Sequence, residues 1–252
     1  MDRSKVPAVL SIAGSDSSGG AGIQADIKTI TAHRLYAQTA ITAITAQNTL
    51  GVTAVQDISP DIVAAQIDAV FDDIRPSAVK IGMVSSVEII DVIADRLSAW
   101  KATNVVVDPV MVATSGARLI AEDAAEALTR RLFPLATVIT PNIPEAMALL
   151  DYEVDSERTQ QNAAMLLTRR FGCASLVKGG HLVNEANDVL AEPAPLDDEA
   201  TIWEIHSPRG SATSASRPTT RTAPDARSRP PSPARWLRAW ILPTPSTPAR
   251  HT

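Results

Sequence analysis

The sequence predicts an α/β fold with a mostly parallel central sheet covered on both faces, and two observations support this. Short apolar segments rich in β-branched residues alternate with amphipathic segments along residues 1–206. Near-continuous apolar segments are typical of strands buried on both faces, and amphipathic segments supply the crossover helices that parallel strands need. A length of 252 residues suits one such domain, with two as the upper limit.

The first predicted elements are a strand at 8–13, which ends at a glycine, and a helix after the glycine-rich loop. Further strands are expected at 39–47 and 52–58. The triplet Ser59-Pro60-Asp61 has the N-cap, first-turn proline and early acid of a helix start. The apolar spacing places these residues on the inner faces of the two helices: Ile23, Ile27 and Ile30 in the first, and Ile62, Ile67, Val70 and Phe71 in the second.

The same alternation continues to residue 206. Strands are predicted at 78–83, 104–111, 136–142 and 174–180, and helices at 87–100, 122–133, 144–150 and 156–171. Two edge strands are predicted at 188–192 and 201–205. In sheets of this type the ligand site lies outside the carboxyl ends of the parallel strands.

Composition excludes several classes of protein. One cysteine, Cys173, cannot form an internal disulfide, which indicates a reducing, cytoplasmic setting. No apolar run reaches the length of a membrane span, about 18 residues, and we expect no signal peptide. A net charge of −5 argues against nucleic acid as the main partner.

The charge is unevenly distributed between two segments. Residues 207–252 contain eight arginines, no lysine, one acidic residue and nine of the 18 prolines, for a net charge of +7. Residues 1–206 therefore carry −12. We predict a folded domain at 1–206 and a disordered Arg/Pro-rich tail at 207–252.

Polar residues stand at the ends of the predicted strands. They are Gly14-Ser15-Asp16, Gln47-Asn48, Asp108, Asn142 with Glu145, and Lys178 before Gly179-Gly180-His181. Because the carboxyl ends of parallel strands meet at one edge of a sheet, these residues are expected to share one rim. That rim is the predicted active site.

Several of these features also have a structural interpretation. The loop GSDSSGGAG (14–22) is either an anion site at a helix N-terminus or a tight turn, and it matches neither the P-loop nor the dinucleotide motif. Asp26 complements a helix dipole or binds a ligand. Asp108, after three valines, lies at the site mouth or holds a cation.

Three further residues leave the same choice open. Asn142 and Glu145 form a helix start or hold magnesium or water, while Lys178 extends towards solvent or contacts a phosphate. Cys173 has no activating neighbour in the sequence and is predicted to be a packing residue.

Six blocks together resemble the hydroxymethylpyrimidine/phosphomethylpyrimidine kinases of the ribokinase-like superfamily. They are SIAGSDSSGGAGIQADIKT, ITAQNTLGV, KIGM, DPVMVATSGARL, TPNIPEA and VKGGH, in the family's order over about residues 7–190. The resemblance implies a three-layer αβα sandwich and a cytoplasmic enzyme, acting as a homodimer. It also implies transfer of the ATP γ-phosphoryl group to 4-amino-5-hydroxymethyl-2-methylpyrimidine and then to its monophosphate, in thiamine biosynthesis.

The resemblance also assigns roles to individual positions. Asp26 and Gln47 match side chains that hydrogen-bond the aminopyrimidine, and Met83 and Val110 match its apolar walls. Asp108 and Glu145 match acids on the magnesium side, while Asn142 and Lys178 match groups near the nucleotide phosphates. ATP and Mg²⁺ are therefore the expected cofactors, and a small pyrimidine is the expected partner.

One family motif has no counterpart in this chain. The family carries Gly-Thr-Gly-Cys at a late helix N-terminus, where backbone N–H groups form an anion hole and the cysteine activates the hydroxyl. Nothing after Ile205 matches it, and the proline spacing forbids the final helices. No intact catalytic residue is therefore expected, and turnover should be severely reduced.

A reading-frame shift near Ser207–Arg217 would account for the missing motif. In the shifted frame, each codon consists of the third base of one residue's codon and the first two bases of the next. With third bases freely chosen, residues 218–234 can then encode His-Asp-Thr-His-Gly-Thr-Gly-Cys followed by a helix-like segment. The other interpretation is a genuine basic appendage that binds nucleic acid or an acidic surface. The alternatives to the kinase are a non-catalytic pyrimidine-binding remnant, an unstable chain, and a pyridoxal kinase-like activity.

Overall fold

The computed structural model describes residues 6–111, 120–180, 187–193 and 201–205, the last range as backbone alone. Its strands are β1 (Ala8–Asp16), β2 (Tyr36–Asn48), β3 (Gly51–Asp57), β4 (Ala78–Ile81), β5 (Val105–Val107), β6 (Val138–Ile139), β7 (Ala174–Val177), β8 (Asp188–Glu192) and β9 (Thr201–Ile205). Its α-helices are α1 (Gly22–Ala32), α2 (Pro60–Asp73), α3 (Val87–Ala99), α4 (Glu122–Ala127), α5 (Ile143–Leu150) and α6 (Glu157–Phe171). No helix in these ranges is long and apolar enough to cross a membrane.

The strands form one sheet in the order β3-β2-β1-β4-β5-β6-β7-β8-β9. The pairs from β2 through β7 are parallel, while β3 at one end and β8 and β9 at the other pair antiparallel. The predicted mostly parallel sheet is confirmed. The edge assignment is right for β9 and wrong for β8, because β8 is paired on both sides.

The order of the strands reverses direction between β1 and β4. After β1 the chain adds β2 and β3 on one side, then crosses to the other side of β1 to begin β4. At such a switch point the crossovers on either side diverge, which opens a crevice above the carboxyl ends of the strands. A ligand crevice is therefore expected above β1 and β4.

Helices lie on both faces of the sheet. The main core packs α2 to α6 against one face, where Leu10, Ile81 and Val107 are fully buried. Helix α1 lies on the opposite face, where Ile30 packs against Val9 and Ala78. The three-layer αβα arrangement is thus present, and the expected loss of the last helices concerns residues outside the described ranges.

Two inward positions were predicted wrongly. Ile62 is 55% exposed, and the buried face of α2 is instead formed by Val63, Ile67 and Phe71. These residues recur every fourth position, so the inner stripe starts one residue later than predicted. Ile27 of α1 is likewise exposed, whereas Ile23 and Ile30 are buried as expected.

Two predicted elements end early or change type. Strand β5 ends at Val107, two residues before Pro109, which has no N–H for a ladder. The helix predicted at 122–133 is α-helical only to Ala127, and it continues as a π-helical turn at Leu128–Leu132 and a 3-10 turn around Pro134.

Candidate active site

The glycine-rich loop after β1 binds a carboxylate of its own chain. The buried Asp16 side chain accepts hydrogen bonds from the backbone N–H groups of Ser18, Gly20 and Ala21, at 2.8, 3.0 and 2.7 Å, and from the Ser18 hydroxyl. The Ser18 hydroxyl, followed by these backbone donors, lowers the pKa of Asp16 against the opposing effect of desolvation. Of the two interpretations of this loop, the structure supports the turn, because an internal anion occupies these donors.

Asp26 projects from α1 onto the switch point of the sheet. Its Oδ2 atom accepts a hydrogen bond from Ser11 Oγ at 2.6 Å and forms an ion pair with Lys80 Nζ at 2.9 Å. Ser11 and Lys80 lie directly opposite each other on the neighbouring strands β1 and β4. The main interactions of Asp26 are therefore with the sheet residues Ser11 and Lys80, not with the dipole of α1.

Gln47 lies near the end of β2, and Met83 follows β4 at the same rim. The Gln47 backbone pairs with Ser17 of the glycine-rich loop in both directions, at 2.8 and 2.6 Å, and its side-chain Oε1 accepts from Thr45 at 3.3 Å. Met83 reaches over Gly14, where an added Cβ would lie 2.7 Å from Met83 Cε. A glycine at position 14 thus makes room for the thioether.

Asp108 and Lys178 form an ion pair at the carboxyl ends of β5 and β7. Lys178 Nζ lies 2.8 Å from Asp108 Oδ1, which also accepts from Thr140 Oγ1 at 3.1 Å. The Asp108 amide donates to Ile81 at the end of β4, which ties this pair to the neighbouring strand. Val110, half-buried, lies in the turn after Asp108.

Asn142 and Glu145 close the N-terminus of α5 as a capping box. Asn142 Oδ1 accepts from the Glu145 amide at 2.9 Å, and Glu145 Oε2 accepts from the Asn142 amide at 2.8 Å. Glu145 Oε1 accepts from the buried Met111 amide at 3.2 Å. Burial raises the pKa of Glu145, against the N–H groups and the positive charge of Lys178.

The helix-start interpretation of Asn142 and Glu145 is therefore correct. It does not exclude a ligand role, since a carboxylate oxygen has more than one lone pair.

Sequence reasoning missed Asp188, which belongs to the same group of charges. Asp188 Oδ1 accepts from the Gly179 amide at 2.9 Å, directly after Lys178. Burial raises the pKa of Asp188, and the Gly179 amide and Lys178 oppose that shift. An added Cβ at Gly179 would lie 1.8 Å from the Asn187 carbonyl oxygen, so only glycine fits there. Asp188 is the first residue of the strand predicted at 188–192, so the strand prediction gave no reason to consider it a site residue.

The acidic residues suit magnesium only together with a nucleotide. Among the described residues, no group of three or more His, Cys, Asp or Glu side chains could hold a metal ion. Mg²⁺ is ordinarily held by one or two carboxylates, waters and substrate phosphates. Asp108 Oδ2 accepts no hydrogen bond from the described part of the chain, and the Asp108 side chain is 26% exposed. The donor set therefore fits a magnesium ion that arrives with ATP.

The predicted site residues fall into two groups along one rim. Asp26, Gln47 and Met83 lie around β1, β2 and β4, and Asp108, Val110, Asn142, Glu145 and Lys178 lie around β5, β6 and β7. Residues 112–119, His181 and the whole of 206–252, including the position of the missing motif, are outside the described residues.

Comparison with known proteins gives a consistent result. A family model described as phosphomethylpyrimidine kinase matches residues 16–216. The chain is similar to the hydroxymethylpyrimidine/phosphomethylpyrimidine kinase of Rhizobium meliloti, with 54% identity over 185 residues, or 72% of this chain and 68% of that protein. It is 49% identical over 187 residues to a thiamine biosynthesis bifunctional protein of Geobacter sulfurreducens, or 74% of this chain and 38% of that protein.

Solved structures agree with the sequence comparison. A phosphomethylpyrimidine kinase from Clostridium difficile superposes with a TM-score of 0.71 and 47% identity, over 78% of this chain and 83% of that chain. A pyridoxal kinase from Bacillus subtilis, solved as an ADP complex, superposes with a TM-score of 0.68 and 36% identity, over 80% and 75% of the two chains.

Proposed function

Because the chain belongs to the phosphomethylpyrimidine kinase family of ribokinase-like enzymes, we propose a specific reaction for it. The chain transfers the γ-phosphoryl group of ATP to the hydroxymethyl oxygen of 4-amino-5-hydroxymethyl-2-methylpyrimidine. A second transfer goes to the resulting monophosphate, and both steps belong to thiamine biosynthesis. The two groups of residues on one rim support a pyrimidine end and a phosphate end of this site.

The observation that carries the proposal is the half-satisfied carboxylate of Asp26. Ser11 and Lys80 both bind its Oδ2 atom, and no described residue donates a hydrogen bond to Oδ1. The remaining oxygen can accept from the amino group of an aminopyrimidine, and the amide of Gln47 can both donate and accept. Met83 and Val110 supply apolar contact for the ring faces.

At the phosphate end, Lys178 is the main cation. Its ammonium group pairs with Asp108, and it can turn to an incoming phosphate, since its side chain is 37% exposed. Phosphoryl transfer depends mainly on positioning the groups and neutralising the developing charge. Asn142, bridged by its backbone to Lys178, is suitably placed to orient the same phosphates.

A magnesium ion would be held by Asp108 directly and by Glu145 through water, because both Glu145 oxygens already accept backbone hydrogen bonds. When bound, it neutralises negative charge on the transferring phosphates. Asp108 would be available to such an ion if Lys178 turned to the nucleotide.

The tail limits this reaction. The match to the family model ends at residue 216, just before Pro218, where the alternative reading frame begins. This supports a frame change near residue 217, with the residues after it out of frame and the anion hole lost. Removing one donor of such a hole costs about 10²–10³ in rate, so loss of the whole motif should reduce turnover at least that much.

Calorimetric titration of the full-length chain with the pyrimidine alcohol tests the substrate assignment independently of turnover. We expect saturable binding, weakened about ten- to a hundredfold by Asp26→Asn, because a hydrogen bond to a charged group contributes about 1.5–3 kcal/mol. The exposed substitution Asp73→Asn is the matched control. Binding without turnover identifies a pyrimidine-binding remnant, and absence of binding contradicts the assignment.

A pyridoxal kinase-like activity is the second candidate, favoured by the 36% identity to the Bacillus subtilis pyridoxal kinase. Pyridoxal also presents a six-membered heteroaromatic ring with a hydroxymethyl group. Competition between pyridoxal and the pyrimidine alcohol in the same titration ranks the two, and tighter binding of pyridoxal would reverse our order.

We also propose that the chain forms a homodimer, as the family resemblance implies. The exposed edge strand β3 supports a self-association surface, because Val52 and Val55 are 53% and 55% exposed. No charged residue occurs from Tyr36 to Gln56, so two acidic chains could approach there without local repulsion.

A further inference from the structure

Lys80 is an unusual residue for its position. It lies in β4, a central strand whose other three residues, Ala78, Val79 and Ile81, are buried and apolar. Burying an ammonium group is costly unless it is paired, and the Lys80 side chain is only 14% exposed. Its partner is Asp26, with a side chain 13% exposed, at 2.9 Å.

Such a pair is poor evidence of a stabilising role. Replacing a buried ion pair with apolar residues of similar volume is often neutral or stabilising, because desolvation offsets the attraction between the charges. A strand of this kind would be served equally well by valine or isoleucine at position 80. The pair therefore points to a requirement of the site.

The two donors next to Asp26 bind the same carboxylate oxygen. Lys80 Nζ and Ser11 Oγ both bind Oδ2, the first at 2.9 Å and the second at 2.6 Å. Two donors from adjacent strands hold the carboxylate from one side. Oδ1 is left without a donor among the described residues.

Gly82 preserves this arrangement. A Cβ atom at position 82 would lie 2.6 Å from Lys80 Nζ and 3.1 Å from the Ala13 Cβ. The ammonium group therefore occupies space that any other residue at position 82 would take. Glycine at position 82 thus leaves the room that the Lys80 ammonium group needs to reach Asp26.

We propose that Lys80 is a positioning residue for pyrimidine recognition: with Ser11 it fixes Oδ2 of Asp26, so that Oδ1 is presented to the amino group of the ring. Lys80 itself does not touch the substrate. The inference rests on the proposed function, because it assigns Asp26 to the pyrimidine.

A double-mutant cycle on the full-length chain tests this proposal. Binding of the pyrimidine alcohol and of a non-hydrolysable ATP analogue is measured by calorimetry for wild type, Lys80→Met, Asp26→Asn and the double variant. We expect Lys80→Met to weaken pyrimidine binding about tenfold, the effect of roughly 1.4 kcal/mol, and to leave nucleotide binding unchanged. In the Asp26→Asn background, Lys80→Met should have little further effect, since contacting residues are coupled.

Two further variants separate positioning from folding. Gly82→Ala keeps the lysine but displaces its ammonium group, so it should weaken pyrimidine binding in the same direction. The exposed Lys101→Met is the matched control and should bind like wild type. If Lys80→Met binds the pyrimidine normally, or loses equal affinity with and without Asp26, Lys80 does not act through Asp26. If the wild-type chain does not bind the pyrimidine, the proposed function fails and this inference fails with it.

Discussion

At the scale of single residues, Asp16 explains why the glycine-rich loop needs its glycines. Three backbone N–H groups converge on the Asp16 carboxylate, and Gly19 has a positive φ of 77° between them. Gly22 at the start of α1 also has a positive φ, and an added Cβ there would lie 2.3 Å from the Gly14 carbonyl oxygen. The loop is preorganised by its own anion before any ligand binds.

Asp16→Asn should therefore destabilise the protein in a pH-dependent way. The pKa of Asp16 is lowered from 3.8 by folding, so its stabilisation is present above that value and is lost as pH falls through the lower, folded-state pKa. Urea denaturation at neutral pH should show a lower free energy of unfolding for the variant than for wild type. The gap should close in acid. A gap that is constant with pH would mean that the charge of Asp16 is unimportant.

Cys173 provides a simpler test at the same scale. It is buried directly before β7, and burial raises its pKa to about 11. A thiol reagent at about pH 8 should react slowly with the native chain and rapidly in denaturant, because the thiolate is the reactive form. With one cysteine in the chain, the signal has a single source. Fast stoichiometric reaction of the native protein would contradict the packing role.

At the scale of elements, sequence patterns predicted the alternation of strands and helices but not their ends. Apolar runs such as 104–111 identified β5, while its length depended on Pro109, which stops the ladder early. The inner stripe of α2 was misplaced by one residue at Ile62, because both Ile62 and Val63 are apolar and only packing against the sheet chooses between them.

For the candidate site, too, the sequence predicted some residues and missed others. Strand ends pointed to Asp108 and Lys178, and the structure joins them in an ion pair. Lys80 and Asp188 could not be recognised as site residues, because each lies within a predicted strand and acquires a role only through a partner on another element. Such contacts depend on tertiary structure, which residue spacing does not describe.

Strand β3 carries a prediction at the element scale. Introducing charge with Val52→Lys and Val55→Lys should convert a dimer into a monomer, since like charges on an edge strand oppose pairing. Light scattering of the purified chain measures this directly. Ile62→Lys, on the exposed surface of α2, is the matched control. A wild-type monomer would contradict the homodimer, and a dimeric double variant would contradict this surface.

At the scale of the whole molecule, the sheet and the charge distribution distinguish residues 1–206 from the rest of the chain. The strand order places Asp26 and Gln47 on the same rim as Asp108 and Lys178, within residues 1–206, whose net charge is −12. The +7 tail overlaps the point where the match to the family ends, at residue 216. Our proposal places the site in residues 1–206 and predicts reduced turnover from the chain after residue 216.

The most direct test compares phosphoryl transfer by this chain with that by a variant whose residues from Pro218 onward are encoded in the alternative frame. Formation of the pyrimidine monophosphate from ATP is measured for both, with Asp26→Asn in the reframed chain as a control for the site. We expect the reframed chain to be at least about a hundredfold faster, with similar affinity for the pyrimidine. Equal rates in the two chains, or no product from the reframed one, would contradict the proposed loss of the anion hole.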